Sequence, residues 1–535
     1  MTSTSLFRVD WGPASMEQLA WVVMGVAAAL WIVSWLVRAL ASGRSSDGRR
    51  SGEIKRTAAS TPPLPPVYSE GVPVVGNVKA FMSGPMQFAR RGYQACGEVF
   101  TLRLGWKRLT FLVGPAAHAV FFRATDEELD QAPVYSFSVP VFGEGVVYDA
   151  PLPVRLEQFR FVSTALRPSR LREYVPWMVR EAESYFQRHW VGDSGTADIL
   201  QSLSQLIILT ASRCLMGREV REHLFEEVSQ LYHDLDQGMQ PLSVFAPHAP
   251  TRAHWRRDRA HRQMKRLFHR VMQERRQRYA AEAERAQREG RDGQVAVDAV
   301  KEADMLQTFM DATYKSGKPL SDDEITGLLI AVLFAGQHTS TITGSWTGLL
   351  ALRDAAVVQQ LHEEQAQVLV DERGQFAIDY DRLLRLDRLH RCIKEALRMY
   401  PPLIFIMRQV MQPRQYQQYT IPTGDILVVS PSISMRLPQV FAEPDRYDPE
   451  RYAPPREEDK QAPFSHIGFG GGRHACMGEQ FAYLQIKTIW SVLLRDFDME
   501  AVGALPQPDY EAMVVGPKPP CLVRWRRRER NGGNV

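Results

Sequence analysis

The run Phe469-Gly470-Gly471-Gly472-Arg473-His474-Ala475-Cys476-Met477-Gly478 decides the fold. It places one cysteine in a glycine-rich loop, directly before a helix-like segment from Glu479 to Leu494. A sulfur at a helix start meets unpaired backbone N–H groups and the positive end of the helix dipole, and both favour the thiolate. Glycines permit unusual backbone angles and let the loop come close to a flat partner. For a cysteine taken alone, a buried and inert thiol is the competing reading. The flanking residues decide against it.

Haem is such a flat partner, and an axial thiolate donates electron density that favours O–O cleavage. Phe469, Gly472, His474, Cys476 and Gly478 resemble the cytochrome P-450 signature: Phe, two residues, Gly, one residue, Arg or His, one residue, Cys, one residue, Gly. The resemblance implies haem b, with iron ligated by Cys476 and the loop contacts coming from Phe469, Gly470 and Gly478. It also implies the P-450 fold, mainly α with small β-sheets, in one large haem domain.

Working outward, composition excludes little. The chain carries 65 basic and 61 acidic residues, a net charge of +4. The five cysteines, Cys96, Cys214, Cys392, Cys476 and Cys521, are scattered without a CxxC pair, which argues against a disulfide framework or a structural zinc site and suits a reducing compartment. Leu19 to Val37 is an uncharged apolar run with Trp21 and Trp35 near its ends. As a helix it spans roughly 28 Å, about the hydrocarbon thickness of a bilayer. Arg38, Arg44, Arg49, Arg50, Lys55 and Arg56 follow it, whereas only Arg8 precedes it. The positive-inside rule then puts the following domain in the cytosol. A cleaved secretory signal is the competing reading. The length of the run, the basic cluster behind it and the want of an A-x-A site weigh against that reading. The expected organisation is a tail at 1–18, a transmembrane anchor at 19–37, a basic then proline-rich linker at 38–66, the haem domain at 67–527 and a polar tail at 528–535.

Glu98 to Val113 alternates around Gly105-Trp106 and predicts a β-hairpin. Arg252 to Arg278 is a basic helical stretch. It lacks the interleaved aromatics that single-stranded nucleic acid requires and is expected to be a solvated face, so no nucleic-acid partner is expected. Ser321 to Asp354 predicts one long helix, opened by a capping box of Ser321 and Glu324. Asp381 to Met399 predicts another, ending before Pro401-Pro402. Leu403 to Met407 is strand-like; with period two, Leu403, Phe405 and Met407 share a face and Arg408 points to the other.

The long helix is apolar until Ala335-Gly336-Gln337-His338-Thr339-Ser340. Small residues beside polar ones make a dent, as dioxygen bound to iron needs, and Thr339 is the hydroxyl candidate for steering protons. Back-bonding of Thr339 to the Ala335 carbonyl is the competing reading. The superfamily usually has an acid just before this threonine; His338 replaces it, and a histidine near its own pKa relays protons too. Glu395 and Arg398 share a helix face. The resemblance joins them to Arg451 as a structural triad on the proximal side.

Haem propionates need donors, and Arg408 and His474 are candidates. His338 for an acid and His474 for arginine are replacements typical of the sterol 14α-demethylases. Three further segments are similar to that branch. In Tyr135 to Asp149, Tyr135 and Tyr148 match tyrosines that reach the propionates. Asp236 to Leu242 resembles the loop beside the substrate entrance, and Glu511 to Pro517 the hairpin that lines the pocket. The resemblance runs from about Pro66 to Arg527. One departure is the basic propionate ligand often found after the second tyrosine. Leu156 and Phe159 stand there, with Arg155 and Arg160 close by.

Pocket candidates are Tyr135, Phe137, Phe142, Tyr148, Ala335, Leu403, Phe405, Met407, Met513 and Val514, large and apolar as a rigid water-insoluble ring system requires. The resemblance implies removal of a sterol precursor's 14α-methyl by three oxidations. Each uses dioxygen and two electrons from NADPH, delivered by a flavoprotein reductase. It further implies an endoplasmic reticulum membrane location and azole inhibitors that ligate the iron. Phe137 matches the residue that goes with C4-monomethyl sterols such as obtusifoliol, because a ring fills the space of the second C4 methyl in lanosterol. Two alternatives remain: another lipid-oxidising P-450, and a non-oxidative haem protein. Thr339 argues against the second, since an isomerase or carrier needs no protonated dioxygen.

Overall fold

The computed structural model describes residues 62–70, 75–240, 243–244 and 246–529. The expected tail at 1–18, the anchor at 19–37, the linker up to residue 61 and the tail from residue 530 lie outside the described residues. Seven helices build the site: α1 (Pro168–His189), α2 (Ile199–Ala211), α3 (Phe225–Asp236), α4 (Arg252–Arg288), α5 (Asp322–Ala351), α6 (Asp387–Met399) and α7 (Glu479–Asp496). The β-structure is minor and flanks them, so the fold is mainly helical with small sheets.

The expected hairpin forms as β2 (Val99–Leu104) and β3 (Lys107–Leu112), paired from Leu104↔Lys107 to Val99↔Leu112. Gly105 takes φ +61° in its tight turn, which favours glycine. The hairpin sits inside a six-stranded sheet ordered β1-β2-β3-β9-β6-β4, with β1 Val67–Tyr68, β4 Leu129–Asp130, β6 Ile406–Val410 and β9 Ile426–Val429. A second sheet puts β11 (Leu522–Arg527) between β10 (Phe497–Ala501) and β5 (Ser194–Asp198), and β7 (Arg414–Tyr416) pairs with β8 (Tyr419–Ile421) in a third.

The capping box opens α5 as expected. Glu324 N donates to Ser321 Oγ at 3.2 Å, and Ser321 N to Glu324 Oε2 at 2.8 Å. Helix α5 crosses the largest apolar cluster, packed by α2, α4, α6 and α7. Three of its glycines are there for close approach. A Cβ on Gly348 would lie 2.1 Å from the Trp490 ring, on Gly327 2.4 Å from the Phe142 carbonyl, and on Gly344 3.2 Å from Leu203.

Three expectations are corrected. The helix expected over 381–399 is two, Tyr380–Leu384 and α6, because the buried Glu364 carboxylate accepts from Arg388 N (2.5 Å) and Leu389 N (3.0 Å) and so caps a fresh helix start. The strand expected at 403–407 begins only at Ile406. Pro401 and Pro402 lack a donor for the ladder, and Leu403 is 48% exposed ahead of it. The basic stretch is a 37-residue amphipathic helix, α4, and not wholly a solvated face. Arg275 has no exposed side-chain surface and is held between Asp304 (2.7 Å) and Glu219 (2.6 Å).

Candidate active site

The cysteine loop is fixed by its own backbone. Cys476 N donates to Phe469 O (2.8 Å), Gly470 N to Ile467 O (3.0 Å) and Ala475 N to Gly472 O (3.2 Å). Gly472 has φ +63°, and a Cβ there would lie 2.1 Å from the Phe122 carbonyl, so this turn admits no side chain. The Phe469 ring lies 5.2 Å from that of Tyr483 on α7. Cys476 is accessible, while Cys214, Cys392 and Cys521 are buried and all five cysteines are free thiols. The protein packed around the Cys476 thiol lifts it above its ordinary range, and the opposing Gly478 N–H does not cancel that. The helix-start N–H thus acts on the sulfur in the expected sense, and a coordinated metal ion, which deprotonates a thiol outright, would add to it.

On α5, Ala335 is exposed and Gly336, His338 and Thr339 are half-buried, whereas the following turns are buried. A Cβ added to Gly336 would meet nothing within 4 Å, unlike the other three glycines of this helix. Thr339 Oγ1 donates to Ala335 O at 2.6 Å, the back-bond weighed above. Thr341, Ser345 and Thr347 make the same bond, at 2.8, 2.7 and 2.7 Å, while buried. What separates Thr339 from them is its accessible setting beside Ala335.

His338 is not alone. Its Nε2 lies 2.9 Å from Asp236 Oδ1 at the last residue of α3. An acid from another helix thus stands against the residue that precedes Thr339. Nothing local in the sequence signals a pair 102 residues apart.

Arg408 and His474 converge on Asp126, a buried carboxylate that the sequence did not single out. His474 Nε2 lies 2.5 Å and Arg408 Nη2 3.4 Å from its Oδ1, and Arg473 Nη1 3.4 Å from Oδ2. Arg408 also donates to the carbonyls of Phe121 (3.1 Å), Thr125 (3.0 Å) and Leu129. Its Nε is buried with no partner. Burial depresses its pKa to about 10, so Asp126 does not offset the whole cost of burying this cation. Burial, with the Arg408 and Arg155 charges, lowers His474, while Asp126 opposes them. Arg155 is itself buried and bonded to Asp130 (2.8 Å), whereas Leu156 and Arg160 point outward. This cationic, incompletely partnered corner fits an anion such as a haem propionate. The open face at Gly336 and the accessible Cys476 fit the macrocycle and its iron.

The walls divide. The Tyr135 and Tyr148 rings stack at 5.1 Å, Phe137 lies 6.3 Å from Tyr135, and Tyr135 Oη accepts from Met407 N at 3.3 Å. Burial raises both tyrosine pKa values, so both hydroxyls stay protonated. Phe142 meets Phe334 of α5 edge-on at 6.0 Å. The expected hairpin closes with Asp509 N donating to Gly516 O (2.7 Å) and docks on the Pro402 segment through Val515 N to Pro402 O (2.8 Å), which brings Met513 and Val514 near Leu403. Phe405 instead packs against Phe81 (5.9 Å) and Phe111 (5.4 Å) of the sheet cluster.

Glu395, Arg398 and Arg451 meet without any exposed side-chain surface. Arg398 is bidentate on Glu395 (2.8 and 2.9 Å) and Arg451 Nε adds a bond of 3.0 Å. Tyr452 Oη donates to the same carboxylate at 2.9 Å.

The cytochrome P450 family profile matches residues 65–525. The chain is 48% identical over 472 residues to the obtusifoliol 14-alpha demethylase of Sorghum bicolor, covering 87% of this chain and 91% of that one. It is equally similar to the sterol 14-demethylase of Arabidopsis thaliana, with 87% and 92% covered. Identity to the lanosterol 14-alpha demethylase of Homo sapiens is 39% over 469 residues, 87% of each chain. Among solved structures, a cyanobacterial protein with retinoic acid bound, CYP120A1, superposes with a TM-score of 0.73 at 21% identity, over 88% of this chain and 100% of that one. That likeness speaks to the fold alone. Thiolate loop, dented helix and cationic corner thus stand in a chain that belongs to the cytochrome P450 family, in the branch of the sterol 14-demethylases.

Proposed function

We propose that the chain is a haem-thiolate monooxygenase of sterol biosynthesis that removes the 14α-methyl group of a sterol precursor, with obtusifoliol-type C4-monomethyl sterols preferred over lanosterol. The observation that carries this is the accessible Cys476 in its backbone-fixed glycine-rich loop, in a chain whose long helix α5 leaves Ala335 exposed and Gly336 facing open space. Cys476 would hold the haem iron, and Arg408, His474, Tyr135 and Tyr148 would hold the propionates. When bound, haem supplies dioxygen activation and the oxidising equivalents; electrons come from NADPH through a flavoprotein reductase.

The protein's own work is positioning and proton control. Phe137 and Phe142 are buried and leave the sterol little freedom, which favours reaction at one methyl. Thr339 Oγ1 now donates its hydrogen bond to Ala335 O; turning toward the dent would let it donate there instead. His338, held by Asp236, stands one residue away as the proton source that refills that hydroxyl. Glu395, Arg398 and Arg451 would keep the proximal side rigid. Residues 19–37 would anchor the protein in the endoplasmic reticulum membrane, with the haem domain cytosolic. Azole nitrogen bases are expected to compete for the iron.

The test is competitive turnover. Purified protein, a flavoprotein reductase and NADPH are given equal obtusifoliol and lanosterol, and products are separated by mass. A 14-demethylated product mainly from obtusifoliol supports the whole reading. Lanosterol winning keeps the reaction and overturns the Phe137 argument. No demethylated product, from protein with an intact thiolate-haem spectrum, overturns the reaction in favour of another lipid oxidation.

A further inference from the structure

Tyr232 and Asp236 stand four residues apart on one face of α3, and each engages one of two adjacent residues of α5. Tyr232 Oη donates to Gln337 Oε1 at 2.9 Å, and Asp236 Oδ1 meets His338 Nε2 at 2.9 Å. The strengths of these two grips differ. Tyr232 and Gln337 are buried, 4% and 5% exposed, and the Gln337 amide reaches on toward Ser204 Oγ of α2 at 3.4 Å. The Tyr232 ring is wedged against Phe334 at 4.6 Å and lies 6.2 Å from the His338 imidazole. Asp236 and His338 are by contrast about a third exposed, and Asp236 ends its helix, where a carboxylate is free to swing into water. A partly exposed ion pair does not hold its own geometry.

We infer that Tyr232, through Gln337, is a positioning residue for proton delivery: it fixes the last turn of α3 against α5 so that Asp236 stays on His338. This rests on the proton role given to His338 above. Removing the Tyr232 hydroxyl leaves a buried amide oxygen unpaired and frees the turn, without touching Asp236, His338 or the apolar wall.

The experiment is a double-mutant cycle on the full-length holoenzyme with reductase, using Tyr232→Phe and Asp236→Asn. Two readouts are taken: demethylated product formed per NADPH consumed, and KM for obtusifoliol. Tyr232→Phe is expected to lower the product yield per NADPH roughly fivefold with little change in KM, the size a lost positioning bond gives. On the Asp236→Asn background the same change is expected to have less than about a twofold further effect, because the two residues act as one unit. Additive losses, or a Tyr232→Phe enzyme as well coupled as the parent, overturn the inference. A rise in KM at unchanged coupling does so too, since that is the mark of a residue that only shapes the pocket. If Tyr232→Phe yields no thiolate-haem spectrum, Gln337→Met replaces it, withdrawing the acceptor at similar length. Failure of the broader reading is separable: the unmutated enzyme would then give no demethylated product at all.

Discussion

At the residue scale, the site depends on side chains whose chemistry is decided by their neighbours. Cys476 is the clearest. Burial lifts its thiol and the Gly478 N–H opposes that, and a bound iron would displace the thiol proton to solvent as the thiolate coordinates. Cys476→Ser is expected to lose the thiolate signature of the reduced carbon monoxide complex and to demethylate at least about a hundredfold more slowly, since serine is a poorer electron donor. A retained signature would move the ligand elsewhere. Phe137, 8% exposed, sets a finer property. Phe137→Leu frees roughly a methyl group's volume and should shift the obtusifoliol-to-lanosterol ratio toward lanosterol by about 1–3 kcal/mol at most. An unchanged ratio in mass-resolved competition would sink the volume argument. Cys476, Thr339 and the tyrosine motif were legible because each is announced by immediate neighbours. Asp126 and Asp236 were not, because each partner lies more than 100 residues away and a lone aspartate carries no local mark of it.

At the element scale, α5 does two jobs that its glycines separate. Gly348 lets Trp490 lie against the helix, and Gly336 leaves a face open. An alanine at either site brings the same helix-propensity gain of about 1 kcal/mol. Gly348→Ala must displace a fully packed indole and should lower thermal stability by about 1–3 kcal/mol despite that gain. Gly336→Ala should keep or raise the melting temperature while cutting haem content or turnover, because its methyl enters the open face. Melting curves of the two variants decide it; equal losses would mean that Gly336 is packed like the others. The helix's start was legible in its capping box. The break between Leu384 and Asp387 was not, because Glu364, which caps the second helix, belongs to a different element. The strand at 403–407 was placed too early, because an apolar two-residue period does not show that the ladder partners begin only at Ile406.

At the scale of the whole molecule, burial holds three imidazoles furthest from protonation. His118 falls to about 4, and His390 and His466 to about 3. In the unfolded chain each would titrate near about 6.5. The folded state therefore refuses protons that the unfolded state accepts below that value. Stability is full above about pH 6.5 and is lost as pH falls toward 4, by at most about 1.4 kcal/mol per imidazole for each pH unit. Urea midpoints of the solubilised protein should fall steadily from pH 7 to pH 5; a flat profile would show that these histidines take up protons in the folded protein as readily as in the unfolded chain. The mainly helical class with small sheets was legible from one loop, because a thiolate-haem loop is found in so few settings.

The wall that Val515 closes on Pro402 has a meaning in time. Tyr135 and Val515 stand 380 residues apart in the chain. At ribosomal speeds of about 5–20 residues per second, roughly 20–75 s pass between making the first wall of the pocket and the last. Throughout that interval the tyrosine stack and the apolar face behind it have no roof, and the thiol that must meet iron does not yet exist until its final tenth. Haem loading on Cys476 is therefore expected only on a nearly finished chain, with the apolar face of the tyrosine segment waiting until then for its cover.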